Sequence, residues 1–232
     1  MSRVLRALAL LAVSAGALGA QVQPKQFAVI TRVGIIVPER SSSLERQGLI
    51  GLDTEYALSK YFGIGTTVDV SRGFTTKEDF LVRLRYGNAS VSGGDSVFYQ
   101  YTGQPINVLN LGAFGTLRYP AKRVSPFLMG GVGYYALIPD AQVNGRSERA
   151  GDISYTVGGG LTFKLSERVG VQLDARSVTY SGYNRDFLNP AFGRPEQTTP
   201  FPEDFPTPPT AKNTALNTMF TLGFRYLPGG GN

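Results

Sequence analysis

The sequence predicts an all-β protein: a closed antiparallel up-and-down transmembrane β-barrel of eight strands, with ten as the alternative. Three observations predict it. Eight runs of residues alternate between an apolar and a more polar set with a period of two, the connections between runs alternate short and long, and aromatic residues gather at the ends of the runs.

Composition agrees with that class. Hydrophobic residues make up 42% of the 232 and charged residues only 17%, while Gly (29), Phe (14) and Tyr (12) are abundant. This is too little charge for an ordinary soluble domain and too polar for a bundle of membrane helices. The length suits one domain. The net charge of +6 is not gathered into a Lys/Arg stripe or block, so nucleic acid is not an expected partner. The chain has no Cys and no His. Disulfides, thiolate chemistry and iron–sulfur ligation are thereby excluded, and the commonest general base and metal ligand is missing. No catalytic residue, no cofactor and no metal site is expected.

Residues 1–20 read as a signal peptide. Arg3 and Arg6 precede the apolar run Ala7 to Val13, and small residues fill Ser14 to Ala20. The apolar core is too short to span a bilayer, which takes about 20 residues. Cleavage is expected after Ala17 or Ala20, and the barrel domain is assigned to residues 21–232.

The first run, Gln26 to Val37, sets Phe27, Val29, Val33 and Ile35 against Ala28, Arg32 and Gly34. The second sets Ile50, Leu52, Thr54 and Tyr56 against Gly51, Asp53 and Glu55. In the third, Ile64, Thr66, Val68 and Val70 oppose Gly65, Thr67 and Asp69. The fourth, Ile106 to Tyr119, alternates Leu109, Leu111, Ala113 and Leu117 with Asn110, Gly112, Thr116 and Arg118. The fifth, Pro126 to Leu137, is Gly-rich and its faces are not separable by pattern. The sixth opposes Ile153, Tyr155, Val157 and Leu161 to Ser154, Thr156 and Gly158. The seventh opposes Val169, Val171 and Leu173 to Gln172, Asp174 and Arg176. The last sets Leu216, Phe220, Leu222 and Phe224 against Asn217, Thr221 and Arg225.

Links near 59–61, 120–123 and 165–168 are short, whereas those near 38–47, 72–105, 138–151 and 177–214 are longer. Transmembrane barrels place short turns at the periplasmic end and long loops outside. Phe62, Tyr119, Phe127, Phe163 and Tyr226 adjoin the short turns, and Phe74, Tyr135, Tyr155 and Tyr180 lie nearer the long loops, as two interfacial girdles require. Within the 72–105 link, Asp79 to Tyr101 either prolongs the neighbouring strands or adds a pair that makes ten.

A soluble eight-stranded barrel also alternates, but it turns its polar face to water. Here the more polar face carries Arg32, Asp53, Glu55, Asp69, Arg118, Asp174, Arg176 and Arg225, charges of both signs suited to pairing inside a narrow lumen. The other face is apolar enough for lipid, and closure satisfies every backbone group there.

The segments Pro126-Phe127-Leu128-Met129-Gly130-Gly131-Val132-Gly133-Tyr134-Tyr135, Gly158-Gly159-Gly160-Leu161-Thr162-Phe163 and Asp174-Ala175-Arg176 carry a resemblance to small bacterial outer-membrane β-barrel proteins of the OmpA-like or opacity type, over roughly residues 26–226. The resemblance implies the outer membrane of a Gram-negative-type bacterium, outer-membrane lipids as surroundings, and the barrel-assembly machinery as a partner in biogenesis. Thr221-Leu222-Gly223-Phe224-Arg225-Tyr226 looks like that machinery's last-strand signal, although the chain continues past the aromatic residue to Asn232.

The expected role is structural, adhesive or otherwise a surface interaction, by a monomeric non-enzyme. The alternatives are a narrow channel or carrier for small or hydrophobic solutes and, third, a soluble periplasmic lipocalin-like binding protein. The 177–214 link holds seven prolines, from Pro190 to Pro209, interleaved with Phe192, Phe201 and Phe205. It is the expected contact segment for an extracellular partner.

Overall fold

The computed structural model describes residues 25–76, 78–82, 97–101, 103–121, 123–140, 149–183, 188 and 213–228. The predicted signal peptide lies outside them. Ten strands follow in chain order: β1 (Phe27–Pro38), β2 (Gln47–Ala57), β3 (Phe62–Phe74), β4 (Glu78–Val82), β5 (Val97–Tyr101), β6 (Pro105–Arg118), β7 (Val124–Pro139), β8 (Ala150–Lys164), β9 (Val169–Ser181) and β10 (Thr214–Tyr226). Eight of them close a barrel in the order β1-β10-β9-β8-β7-β6-β3-β2. Neighbours are antiparallel throughout, and the seam runs from Val29 opposite Tyr226 to Pro38 opposite Asn217. Closure leaves the barrel sheet itself no free edge.

The extra pair forms, but outside the barrel. β4 and β5 make a separate two-stranded sheet in the link between β3 and β6, so the described residues hold ten strands, of which eight enclose the lumen. The other long link with strand character is the last. β9 continues through Ser177-Val178-Thr179-Tyr180-Ser181, which sequence reading placed in the 177–214 loop. That stretch keeps the alternation, with Val178 and Tyr180 buried. The prolines from Pro190 to Pro209 lie outside the described residues.

One face of every barrel strand points outward and is apolar. Thirty large apolar or aromatic side chains are exposed there and at the turns, among them Ile50, Leu128, Val157 and Leu222. Such an exterior is far beyond the apolar patches that soluble monomers tolerate. Along the outward positions of the eight barrel strands, Arg72 is the one charged residue, and it sits near the long-loop end paired with Asp140 at 3.2 Å.

The aromatic girdles differ in membership from the expected set. Phe62, Tyr119 and Tyr226 face outward at the short-turn end, and Phe74 and Tyr155 at the long-loop end. Phe127, Tyr135 and Tyr180 are buried and point inward. Proximity to a run's end does not fix the face a residue occupies, and a shift of one position reverses it. In β7, whose faces the sequence left ambiguous, Leu128, Val132 and Tyr134 are outward and Phe127, Met129, Tyr135 and Leu137 inward.

Candidate functional site

Among the described residues, charged groups of both signs converge in the lumen. All eight charged residues of the polar face are buried in it, and each points inward because the two-residue pleat leaves it no other direction. They assemble into two clusters.

The middle cluster joins β1, β2, β3 and β9. Arg32 Nη2 donates to Asp53 Oδ1 at 2.7 Å, to Asp69 Oδ1 at 2.5 Å and to Thr67 Oγ1 at 2.9 Å. Thr67 Oγ1 in turn donates to Asp53 Oδ1 at 2.6 Å. From β9, Arg176 Nη2 reaches Asp53 Oδ2 at 2.6 Å, and its Nε donates to Asp174 Oδ1 at 2.9 Å. Gln172 Nε2 also donates to Asp174, at 3.2 Å.

The lower cluster, nearer the short turns, centres on Glu55. Arg118 donates to Glu55 through both Nε, at 2.9 Å, and Nη2. Arg225 Nη1 donates to it at 2.9 Å and Thr116 Oγ1 at 3.2 Å. The Arg118 guanidinium also lies 5.4 Å from the ring centre of Phe127, which explains what that inward aromatic does.

Glycine makes room for these side chains. On the strand ladder Arg32 stands opposite Gly51, which stands opposite Asp69, so the ion pair closes over a residue without a side chain. Glu55 faces Gly65, Asp174 faces Gly160, and Arg176 faces Gly158. A Cβ on Gly51 would lie 2.8 Å from Arg32 Nη2 and closer still to Asp69 Oδ1; one on Gly63 would lie 2.7 Å from Glu55 Oε1.

Above the clusters, towards the long loops, the lumen turns apolar. Ile36, Leu49, Ile106, Val108, Leu137, Val178 and Met219 fill it, with Tyr135 and Tyr180 stacked at 4.2 Å between ring centres. The loops finish this layer: Leu44 from the first and Tyr183 and Leu188 from the last are buried in it. Tyr183 Oη donates to the Ser42 carbonyl at 2.5 Å, and Gln104 Nε2 to the Leu188 carbonyl at 2.5 Å, tying three loops together over the lumen. Sequence reading missed this layer. Its signal was present where alternation fades and both faces become apolar, as in Ile35-Ile36-Val37 and Ala136-Leu137-Ile138.

One gap in the lumen, between Thr67, Asn110, Phe114, Met129 and Ser154, measures about 10 Å³, roughly the room one water needs. Among the described residues, Arg32 Nε and Nη1 and Arg176 Nη1 have no hydrogen-bond partner. No group of three or more carboxylates suited to a metal ion occurs among the described residues.

Comparison with known proteins bears on the whole barrel. Residues 5–226 match the family described as outer membrane protein beta-barrel domain. No curated protein matches the chain. Among solved structures, it is similar to Neisserial surface protein A at 13% identity, covering 86% of this chain and 96% of that one with a TM-score of 0.54. The attachment invasion locus protein Ail of Yersinia pestis, in complex with the heparin analogue sucrose octasulfate, is similar at 12% identity, with 88% and 100% covered and a TM-score of 0.45. The outer membrane enzyme PagL is similar at 11% identity, with 86% and 98% covered and a TM-score of 0.39. At these identities the likeness is one of fold alone.

Proposed function

This chain belongs to the outer membrane β-barrel family, and from that premise we propose that it is a closed, non-catalytic barrel that holds its long loops at the cell surface in a structural or adhesive role. It resides in the outer membrane, and with that placement the soluble lipocalin-like reading falls away. Short turns then mark the periplasmic end and long loops the outside.

The filled lumen carries the proposal. Eight strands enclose a space that side chains alone can fill, and here the Arg/Asp/Glu clusters and the apolar layer above them occupy it. The same filling supports a non-catalytic role, since Asp53, Glu55, Asp69 and Asp174 are each enclosed and bound to arginine. The loop end is then the part that meets molecules outside the cell.

Reconstitution into planar bilayers tests the closed lumen. Baseline current with only rare, irregular openings is expected; steady single-channel steps would transfer the role to the narrow channel or carrier. Release of fatty acid or peptide from outer-membrane substrates by the purified barrel would overturn the non-catalytic part. We also infer that residues 1–20 are removed on export and that the barrel is monomeric, which N-terminal sequencing and light scattering of the folded protein check.

A further inference from the structure

The two ends of the barrel differ in charge. At the periplasmic end the described residues place Lys25, Lys60, Arg123, Lys164 and Arg168 at the surface against a single acid, Glu167. At the opposite end the described arginines, such as Arg40 and Arg149, are outnumbered by carboxylates such as Glu45 and Asp140. The lumen's four arginines face four carboxylates. The excess positive charge of the described barrel is therefore concentrated at one rim.

That rim is rigid. In two of the turns the same bonds recur: Ser59 Oγ accepts the N–H groups of Tyr61 and Phe62, and Ser166 Oγ those of Arg168 and Val169. The Lys164 N–H donates to the Arg123 carbonyl at 2.9 Å, which sets those two cations side by side. Lys60 Nζ lies 4.9 Å from the ring centre of Tyr61, so one cation adjoins the aromatic girdle directly. Exposed Tyr61, Phe62, Tyr119 and Tyr226 mark where hydrocarbon gives way to headgroups. Cations fixed just beyond that level stand at phosphate depth, where long side chains extend their charge into the headgroup layer.

We propose that this periplasmic rim is a binding surface for anionic phospholipid headgroups of the inner leaflet of the outer membrane. A net negative headgroup fits better than a zwitterionic one, because the rim offers several cations and almost no acid to engage a choline or ethanolamine. The proposal rests on the membrane placement alone and is independent of whether the lumen conducts.

The chain has no Trp, so its emission comes from tyrosine, several of which line this girdle. The folded full-length barrel is placed in phosphatidylcholine vesicles containing about one-third phosphatidylglycerol, with bromine on the acyl chains of one lipid or the other. Stronger quenching by brominated phosphatidylglycerol, corresponding to about fivefold enrichment at the barrel, is the expected result, falling as salt rises towards 1 M. Lys60→Gln/Arg123→Gln/Lys164→Gln should abolish the enrichment, while Arg40→Gln/Arg46→Gln/Arg149→Gln at the other end should leave it unchanged. Quenching by the two brominated lipids in proportion to their bulk amounts overturns the proposal, as does equal loss in the two triple variants. So does an absent lipid preference accompanied by retention of acidic murein fragments, which would assign the rim to the cell wall. Should the rim variant not fold, salt dependence of the unmodified barrel's enrichment decides: a preference unaffected by salt refutes the electrostatic surface.

Discussion

Arg176 on β9 and Asp53 on β2 meet across the lumen at 2.6 Å although they are 123 residues apart and β1 and β10 stand between their strands in the wall. Wall hydrogen bonds hold each strand only to its neighbours. This pair ties opposite arcs of the wall together.

Removing one member should therefore be costly and removing both much less so. Arg176→Met alone takes the paired arginine from Asp174 and leaves Asp53 with Arg32, and a buried charge without its partner destabilises by about 3–5 kcal/mol. Adding Asp53→Leu and Asp174→Leu should recover most of that loss. Urea unfolding of the folded band on unheated gels measures both, and a triple variant no better than the single one would refute the account.

Gly51→Ala should destabilise by about 1–3 kcal/mol, because its methyl group would press on Arg32 and Asp69. Gly115→Ala and Gly130→Ala provide the contrast. Both positions face outward, and the nearest atoms to an added Cβ are 4.0 and 3.9 Å away, so these changes should leave the urea midpoint nearly unmoved.

Leu222 lies on the outward face of β10, half exposed and between Val33 and Leu173 on the ladder. Leu222→Arg should cost about 2–4 kcal/mol in a bilayer. The same substitution made near the loops at Leu216 should cost less, since the added charge can reach water.

Opening the lumen should need changes in both of its layers. Leu137→Ala with Met219→Ala thins the apolar layer, at about 2–5 kcal/mol for each truncation, yet the arginine clusters still block the way below. Bilayer recordings should show current only when Arg32→Ala and Arg176→Ala in the middle cluster and Arg118→Ala and Arg225→Ala in the lower one are combined with them, in a background stable enough to fold.

The barrel's strand number and the charged part of its inward set were legible because alternation over ten or more residues fixes a face, and residues such as Asp53, Asp69 and Arg225 have one compatible side. Phe127, Tyr135 and Tyr180 were misplaced on the girdles because an aromatic residue satisfies either face, and only register against a neighbour separates them. The partners within the lumen were not legible: nothing in sequence sets Arg118 and Arg225, rather than Arg32, on Glu55, since shear between strands decides which inward side chains share a level. The glycines opposite the charges were visible as residues but not as spacers, because Gly51 and Asp69 become neighbours only after β2 and β3 have paired.

The β1–β10 seam has a consequence for how the protein is made. β1 begins the described barrel and β10 completes it, so the first strand out carries a bare edge of amide and carbonyl groups until the last arrives. No contact formed earlier can substitute for it, and the entropy of bringing such distant segments together falls at the end of assembly. The chain must be kept from pairing with copies of itself until the thirteen-residue β10 meets β1.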